Sequence, residues 1–414
     1  MSLPTDIRKI VDTLNQTRES EHFILHFGLR NPRTGPGLGP DGVRDTTLIL
    51  TYFHALEALY NTLRSKPWER EPPVVGKDGK THVYVFDSSP ITSYDSQKMP
   101  FIILPSRSNE PTTQAELYRA ASEAVHEATH LFNYSKRPFY DLRSEPWEWF
   151  DEGLAVLMEM IVAAGNPDYF RFLMDWIDSP QMPVNDPDSK YQAGMFIRYL
   201  SKRLGLEFIN DVWQNSEPGE GPLEALTRLM PAGETLVSSD PEVRDLFASG
   251  YCIDPYFLWE HASVSLAPDV YVRFGERAVS ESLMLPDDSG KTVEGALDHL
   301  ACRYYRFYLR PSVQALTLTL DCENACDVTP LKAEVAVVTN DRRRLLVSPL
   351  RPHDGHPHGG DGRGKLTCVL DNLDPDAVNH VVLVVSNCGT RSSLNSPAGE
   401  NDDNKRFFIN AASR

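Results

Sequence analysis

Near residue 265 the hydrophobic period of this chain changes and does not change back. From about 112 to 262 apolar residues recur at helical spacing, with candidate helices at 113–134, 146–164, 167–177, 189–204, 206–214, 221–230 and 241–262. After 265 come "RYYRFYLR", "ALTLTLDC", "AEVAVVTN", "KLTCVLDN" and "HVVLVVSN", short strands that close on Asn, Asp or Gly turns with no helix between them. Upstream, "EHFILHFGL" (21–29), "KTHVYVFD" (80–87) and "KMPFIILPS" (98–106) read as strands around the helix "TTLILTYFHALEALYNTLRSK" (46–66). The pattern predicts an α+β domain over 1–270, with a mixed sheet and a helical subdomain at 145–262. An all-β, jelly-roll-like sandwich over 271–414 follows.

The 414 residues suffice for two domains, and 41% apolar with 24% charged residues fits a globular protein. The net charge of −17 is spread along the chain and repels phosphate backbones and anionic lipid, so neither nucleic acid nor membrane is the expected partner. No apolar run approaches the roughly 18 residues a bilayer crossing needs. "MSLPTDIRKIVDTLNQTRESEHF" lacks the apolar core of a secretory signal, so the expected compartment is cytoplasmic, with a secreted mature form left open. The six cysteines all follow residue 250 without C-x-x-C spacing, which disfavours a zinc ribbon and leaves disulfides and buried thiols both open.

"EAVHEATHLF" (123–132) lies within the helix at 113–134, among Ala121, Val125, Ala128, Leu131 and Phe132. Positions four apart share a helix face, so His126 and His130 can offer ring nitrogens to one ion. Glu127 sits beside them, able to take a proton from a water without ligating. A hydrolytic zinc site needs a third protein ligand and holds a water whose pKa falls toward ~7. Glu152, near the start of the helix in "EPWEWFDEGLAVLMEM" (145–160), can supply that ligand if this helix folds back on the first. Glu159, two turns further along the same face, is placed to accept a hydrogen bond from a ligand imidazole.

"HEATH" followed by "WFDEGLAVLME" resembles the gluzincin clan of zinc metallopeptidases, and in particular uncharacterised bacterial metallopeptidases in which a sandwich follows the catalytic domain. "SEHFILHF", "HVYVFD" and "YQAGMFIRYLSKRLGLEFI" (191–209) extend the resemblance over roughly 20–215. It implies a zincin-like catalytic fold, Zn2+ as cofactor, His126, His130 and Glu152 as ligands and a peptide or protein substrate. Tyr191 inherits by position the role of hydrogen-bond donor to the oxyanion. The G-x-M-E-N stretch of the clan's aminopeptidases has no counterpart in "SQKMPFIILPSRSNEPT", so an endopeptidase is the expectation. "MPFIILP" is either the edge strand that pairs with an extended peptide or an ordinary core strand. An inactive zincin scaffold that binds protein or glycan, and a zinc hydrolase of non-peptide amides, are the alternative readings.

Other constellations carry less. The glycine-rich loop "RNPRTGPGLGPDG" lacks a following Gly-Lys-Ser/Thr, so it is no phosphate cradle. "HDGHPHGGDGRG" (353–364), with His353, His356 and His358, reads as a solvated loop, and "DNLDPDAVNH" (371–380) as a turn rather than a calcium loop. A Cys322–Cys326 bridge in "CENAC" is feasible, and nothing assigns a catalytic role to His261.

Overall fold

The structure, a computed structural model, describes residues 10–29, 42–43, 46–70, 78–94, 99–107, 113–136, 146–163, 169–238, 240, 243–253, 279–285, 290–322, 330–340, 344–352, 364–374, 376–391 and 402–413. His261, Cys326 and the three histidines of the 353–363 loop lie outside them. Helix and mixed sheet come first and a β-rich region follows. The chain divides into two units, Met1–Leu173 with Lys190–Pro222, and Met174–Ser189 with Leu223–Arg414.

In the first unit, strands β1 (Gln16–Glu19), β2 (Phe23–Phe27), β3 (Thr81–Phe86), β4 (Ile91–Tyr94) and β5 (Pro100–Pro105) form a sheet of order β1-β2-β3-β5-β4. β2, β3 and β5 run parallel, while β1 and β4 are antiparallel at the two edges. β5 is therefore not the edge strand that the sequence allowed it to be. It is paired on both sides and its apolar side chains are buried on both faces, as a near-continuous apolar run suits. β4 is the edge instead.

On one face of this sheet Tyr84, Phe86, Phe101 and Ile103 pack with Ile10, Val11, Leu14 and Ile91. The alternate residues Val83, Val85, Ile102 and Leu104 are buried on the other face. Helix α1 (Thr46–Arg64) buries Ile49, Tyr52, Phe53, Leu56, Leu59 and Leu63, a single apolar stripe. Helix α2 (Gln114–Lys136) packs on α1, on β4 and β5, and on α3 (Glu148–Val162). Beyond α3 come α4 (Tyr169–Asp178), a 3-10 turn at Pro187–Ser189, α5 (Ala193–Leu204), α6 (Leu206–Gln214) and α7 (Pro222–Arg228).

In the second unit two five-stranded sheets, among the described residues, share one core. One has the order β11 (Arg344–Pro349), β10 (Leu331–Thr339), β14 (Val378–Asn387), β8 (Ala301–Tyr308), β6 (Val279–Met284). The other runs β12 (Arg351–Pro352), β13 (Gly364–Leu370), β9 (Leu316–Cys322), β15 (Lys405–Ser413), β7 (Gly290–Leu297). Leu318, Leu320, Leu366, Phe407 and Ile409 from one meet Tyr305, Phe307, Val335, Val337, Val381 and Leu383 from the other in a single cluster. The sandwich expected from the strand spacing is therefore present.

The division between the units does not fall at 270. Residues 174–189 and 223–253 belong with the β strands, held by specific bonds. The Tyr304 hydroxyl donates to the carbonyl of Cys252 at 2.6 Å, and the Cys302 amide donates to that of Pro180 at 3.0 Å. Lys332 on β10 pairs with Asp245 at 2.8 Å. Periodicity reports local conformation and is blind to such partners. Cys252, Cys302, Cys368 and Cys388 are buried free thiols. Between β13 and β14 the Asp374 carboxylate accepts from the Asp376 amide at 3.0 Å. Among the described residues no helix is long and apolar enough to cross a membrane.

Candidate metal centre

α2 carries His126, Glu127 and His130 on a stretch that is buried throughout. The helix is fixed to the sheet at this point, because the Thr92 hydroxyl on β4 donates to the backbone carbonyl of Glu127 at 2.7 Å. α3 brings Glu152 against the two rings. Its Oε2 lies 3.0 Å from Nε2 of His126 and 3.4 Å from Nε2 of His130. One ligand atom from each of the three residues falls within 4.8 Å of the other two.

The donor set fits zinc. Ligand atoms about 2.0–2.1 Å from a tetrahedral ion stand ~3.3 Å apart, close to the two nitrogen–oxygen separations observed. Two imidazoles and one carboxylate match the composition of hydrolytic zinc sites. A metal-ligating histidine ordinarily has its far ring nitrogen held by a carboxylate or carbonyl, and here a carboxylate stands beside each. Nδ1 of His126 is 2.7 Å from Oε1 of Glu159, and Nδ1 of His130 is 2.8 Å from Oδ2 of Asp151, the latter off the direction of a well-formed hydrogen bond. Glu159 thus sits where the two-turn spacing from Glu152 anticipated.

The electrostatics follow from burial and pairing. Burial works against a charged His126, yet its bonds to Glu152 and Glu159 outweigh that and raise its pKa to about 10. His130 is raised as well, against the same burial, by Asp151 and Glu152. For Glu152 burial favours the acid, but the two histidines win and hold its carboxyl well below the usual range.

Tyr191 lies just before α5, its ring 5.8 Å from that of His126 and stacked on Phe172 at 5.1 Å. Burial first, and then the negative field of Glu152, raises its pKa, so the phenol keeps its proton. Its neighbour Lys190 donates to Glu148 Oε1 at 2.7 Å and forms an ion pair with Glu152, its ammonium 3.0 Å from Oε1. Glu123, one turn before Glu127 on α2, pairs with Arg107 at 2.5 Å.

Sequence reasoning missed Asp151, Lys190 and the support behind them. Asn133 donates to Asp151 Oδ1 at 2.5 Å and accepts from the guanidinium of Arg70. Arg70 is buried, with its guanidinium carbon 5.1 Å from the Trp68 ring and 5.7 Å from the Trp213 ring, and Nε donates to Asn210 Oδ1 at 3.2 Å. Burial lowers its pKa to about 9, partly offset by Asp151. One signal was available: Asn133 follows His130 by three, so both occupy one face of α2.

The profile of DUF6055, described as a family of unknown function, matches residues 109–238, a stretch that contains His126, Glu127, His130, Asp151, Glu152, Glu159, Lys190 and Tyr191 but not Arg70 or Thr92. No curated protein matches the chain. Among solved structures, similarity is found to PliG of Salmonella Typhimurium, a periplasmic inhibitor of g-type lysozyme, at 12% identity over 33% of this chain and 100% of that one, with a TM-score of 0.18. The pre-peptidase C-terminal domain of a Bacillus anthracis collagenase gives 8% identity over 33% of this chain and 96% of that one, again with a TM-score of 0.18. At these TM-scores neither likeness bears on fold or function.

Proposed function

We propose that this chain is a zinc-dependent metallopeptidase of the gluzincin type, with a zincin-like first unit that cleaves internal peptide bonds. The observation that carries this reading is the approach of Glu152 Oε2 to both Nε2 atoms while Glu159 and Asp151 stand at the opposite ring nitrogens. His126, His130 and Glu152 would hold the ion. When bound, zinc supplies a Lewis acid that polarises a carbonyl and makes water acidic near neutral pH. Glu127, next to His126 and buried, serves as general base to the attacking water and returns the proton to the leaving amine. Tyr191 keeps its phenolic proton and donates it in a hydrogen bond to the oxyanion. β4, paired on one side only among the described residues, offers main-chain groups to an extended peptide beside Glu127.

The test is metal analysis of purified protein with hydrolysis of a peptide library, wild type against Glu127→Gln. Stoichiometric zinc with activity lost in the variant is the expected result. Zinc with full activity in the variant removes the general base. Zinc without any peptide hydrolysis points to a binding scaffold or to a non-peptide amide substrate.

A further inference from the structure

Glu152 divides its two oxygens. Oε2 faces the histidine nitrogens, and Oε1 lies 3.0 Å from the Lys190 ammonium. The ammonium is itself tethered at 2.7 Å to Glu148, one turn earlier on α3, so a single cation bridges two carboxylates on one helix face. We infer that Lys190 is a positioning residue of the metal centre, holding Oε1 of Glu152 so that only Oε2 is offered to the ion. The inference rests on the metal-centre reading above and adds to it a determinant of coordination number.

A carboxylate can ligate through one oxygen or through both. Glu152 is held on the imidazole side through Oε2 alone, so only a group on Oε1 distinguishes the two modes. Lys190 is that group. A solvent-exposed ion pair with Glu148 would be the bland alternative, but the side chains of Lys190 and Glu152 are only 23% and 13% exposed, and the lysine reaches past Glu148 to the ligand. The placement depends on chain order: Lys190 and Tyr191 are consecutive, so whatever docks the start of α5 on α3 delivers both.

The experiment uses full-length apoprotein reconstituted with Co2+, read by its visible d–d absorption, together with zinc affinity from competition against a chromogenic chelator. Four-coordinate cobalt absorbs more strongly than five-coordinate cobalt, so the band reports whether one oxygen or two are bound. Wild type is expected to bind one cobalt with an intense band that His126→Ala abolishes. Lys190→Met is expected to show a weaker band and a zinc Kd at least ~10-fold higher, the scale of disrupting a ligand's support. Lys190→Arg, which retains a cation able to reach Oε1, should recover the wild-type band. Lys190→Gln carries the test should the methionine variant fail to fold. A neutral variant with the wild-type band and a Kd within twofold overturns the inference and leaves the metal centre standing. Wild type that binds no cobalt, or binds it unchanged in His126→Ala, overturns both.

Discussion

Gly153 and Gly194 pack so closely that a Cβ built on Gly194 would lie 3.3 Å from the Gly153 carbonyl oxygen and 2.6 Å from Cγ1 of Val156. The reciprocal Cβ on Gly153 would stand 3.0 Å from the backbone of Ala193 and Gly194. Here the glycine of "DEGLA" has a physical reason. It lets the start of α5 reach α3, which sets Lys190 and Tyr191 beside Glu152. Gly194→Ala should therefore cost about 1–3 kcal/mol, the range for overpacking, because β-branched Val156 has little freedom to withdraw. Urea unfolding of the variant measures it, and an unchanged midpoint would refute the close approach.

That contact also marks what the sequence could tell. His126, Glu127 and His130 were legible because four-residue spacing on an apolar helix fixes a common face, and Glu159 because seven residues complete two turns. Lys190 and Asp151 were not, since their partners depend on how α2, α3 and α5 pack. The Arg70–Asn210 bond joins positions 140 apart, beyond the reach of any local pattern. β1 and β4, "QTRE" and "ITSY", were missed because they are only four residues long, too short for an alternating pattern to register. With β4 unseen, the sequence left β5 open between an edge strand and a core strand.

Support of the ligand rings should be measurable as metal affinity. Glu159→Gln and Asp151→Asn each replace a charged acceptor at a histidine Nδ1 with an amide that binds the ring less strongly. Each is expected to weaken zinc binding about 10- to 100-fold without removing a ligand. Chelator competition checks this. Affinities equal to wild type would mean that the far nitrogens need no anionic partner.

A pH effect is expected far from the site. His26 lies 2.9 Å from Nδ1 of His82, which in turn is 2.8 Å from Asp78. Burial first, then repulsion from His82, lowers the His26 pKa from 6.5 to about 4, and Asp78 opposes only weakly. The unfolded chain takes up this proton near 6.5 and the folded chain not until about 4. Stability is therefore lost progressively as pH falls between those values, and levels off below. The lowered carboxyls of Glu57 and Asp402 begin to lose their contributions as pH falls through the ordinary carboxylate pKa, so only the upper part of the His26 window, above pH ~5, is free of them. His26→Asn should flatten urea midpoints between pH 6.5 and 4. A wild-type-like slope in the variant would assign the loss to another group.

In the β unit, Lys332 and Asp245 form an ion pair whose side chains are 5% and 0% exposed. Asp245 also accepts from the Ala248 amide at 2.6 Å and the Ser238 amide at 3.2 Å, so both of its oxygens are used. Desolvating two charges offsets most of their attraction, and the intact pair need contribute little net stability. Removing one partner is different, because the other charge stays buried without compensation. Asp245→Ala is expected to destabilise this unit by about 3–5 kcal/mol. Adding Lys332→Met should recover a large part of that loss, since an apolar side chain of similar length then fills the site. Denaturant unfolding of the two single variants and the double variant gives the coupling directly. If the double variant is no more stable than Asp245→Ala, the stranded ammonium is not the source of the loss, and the amide bonds to Asp245 are.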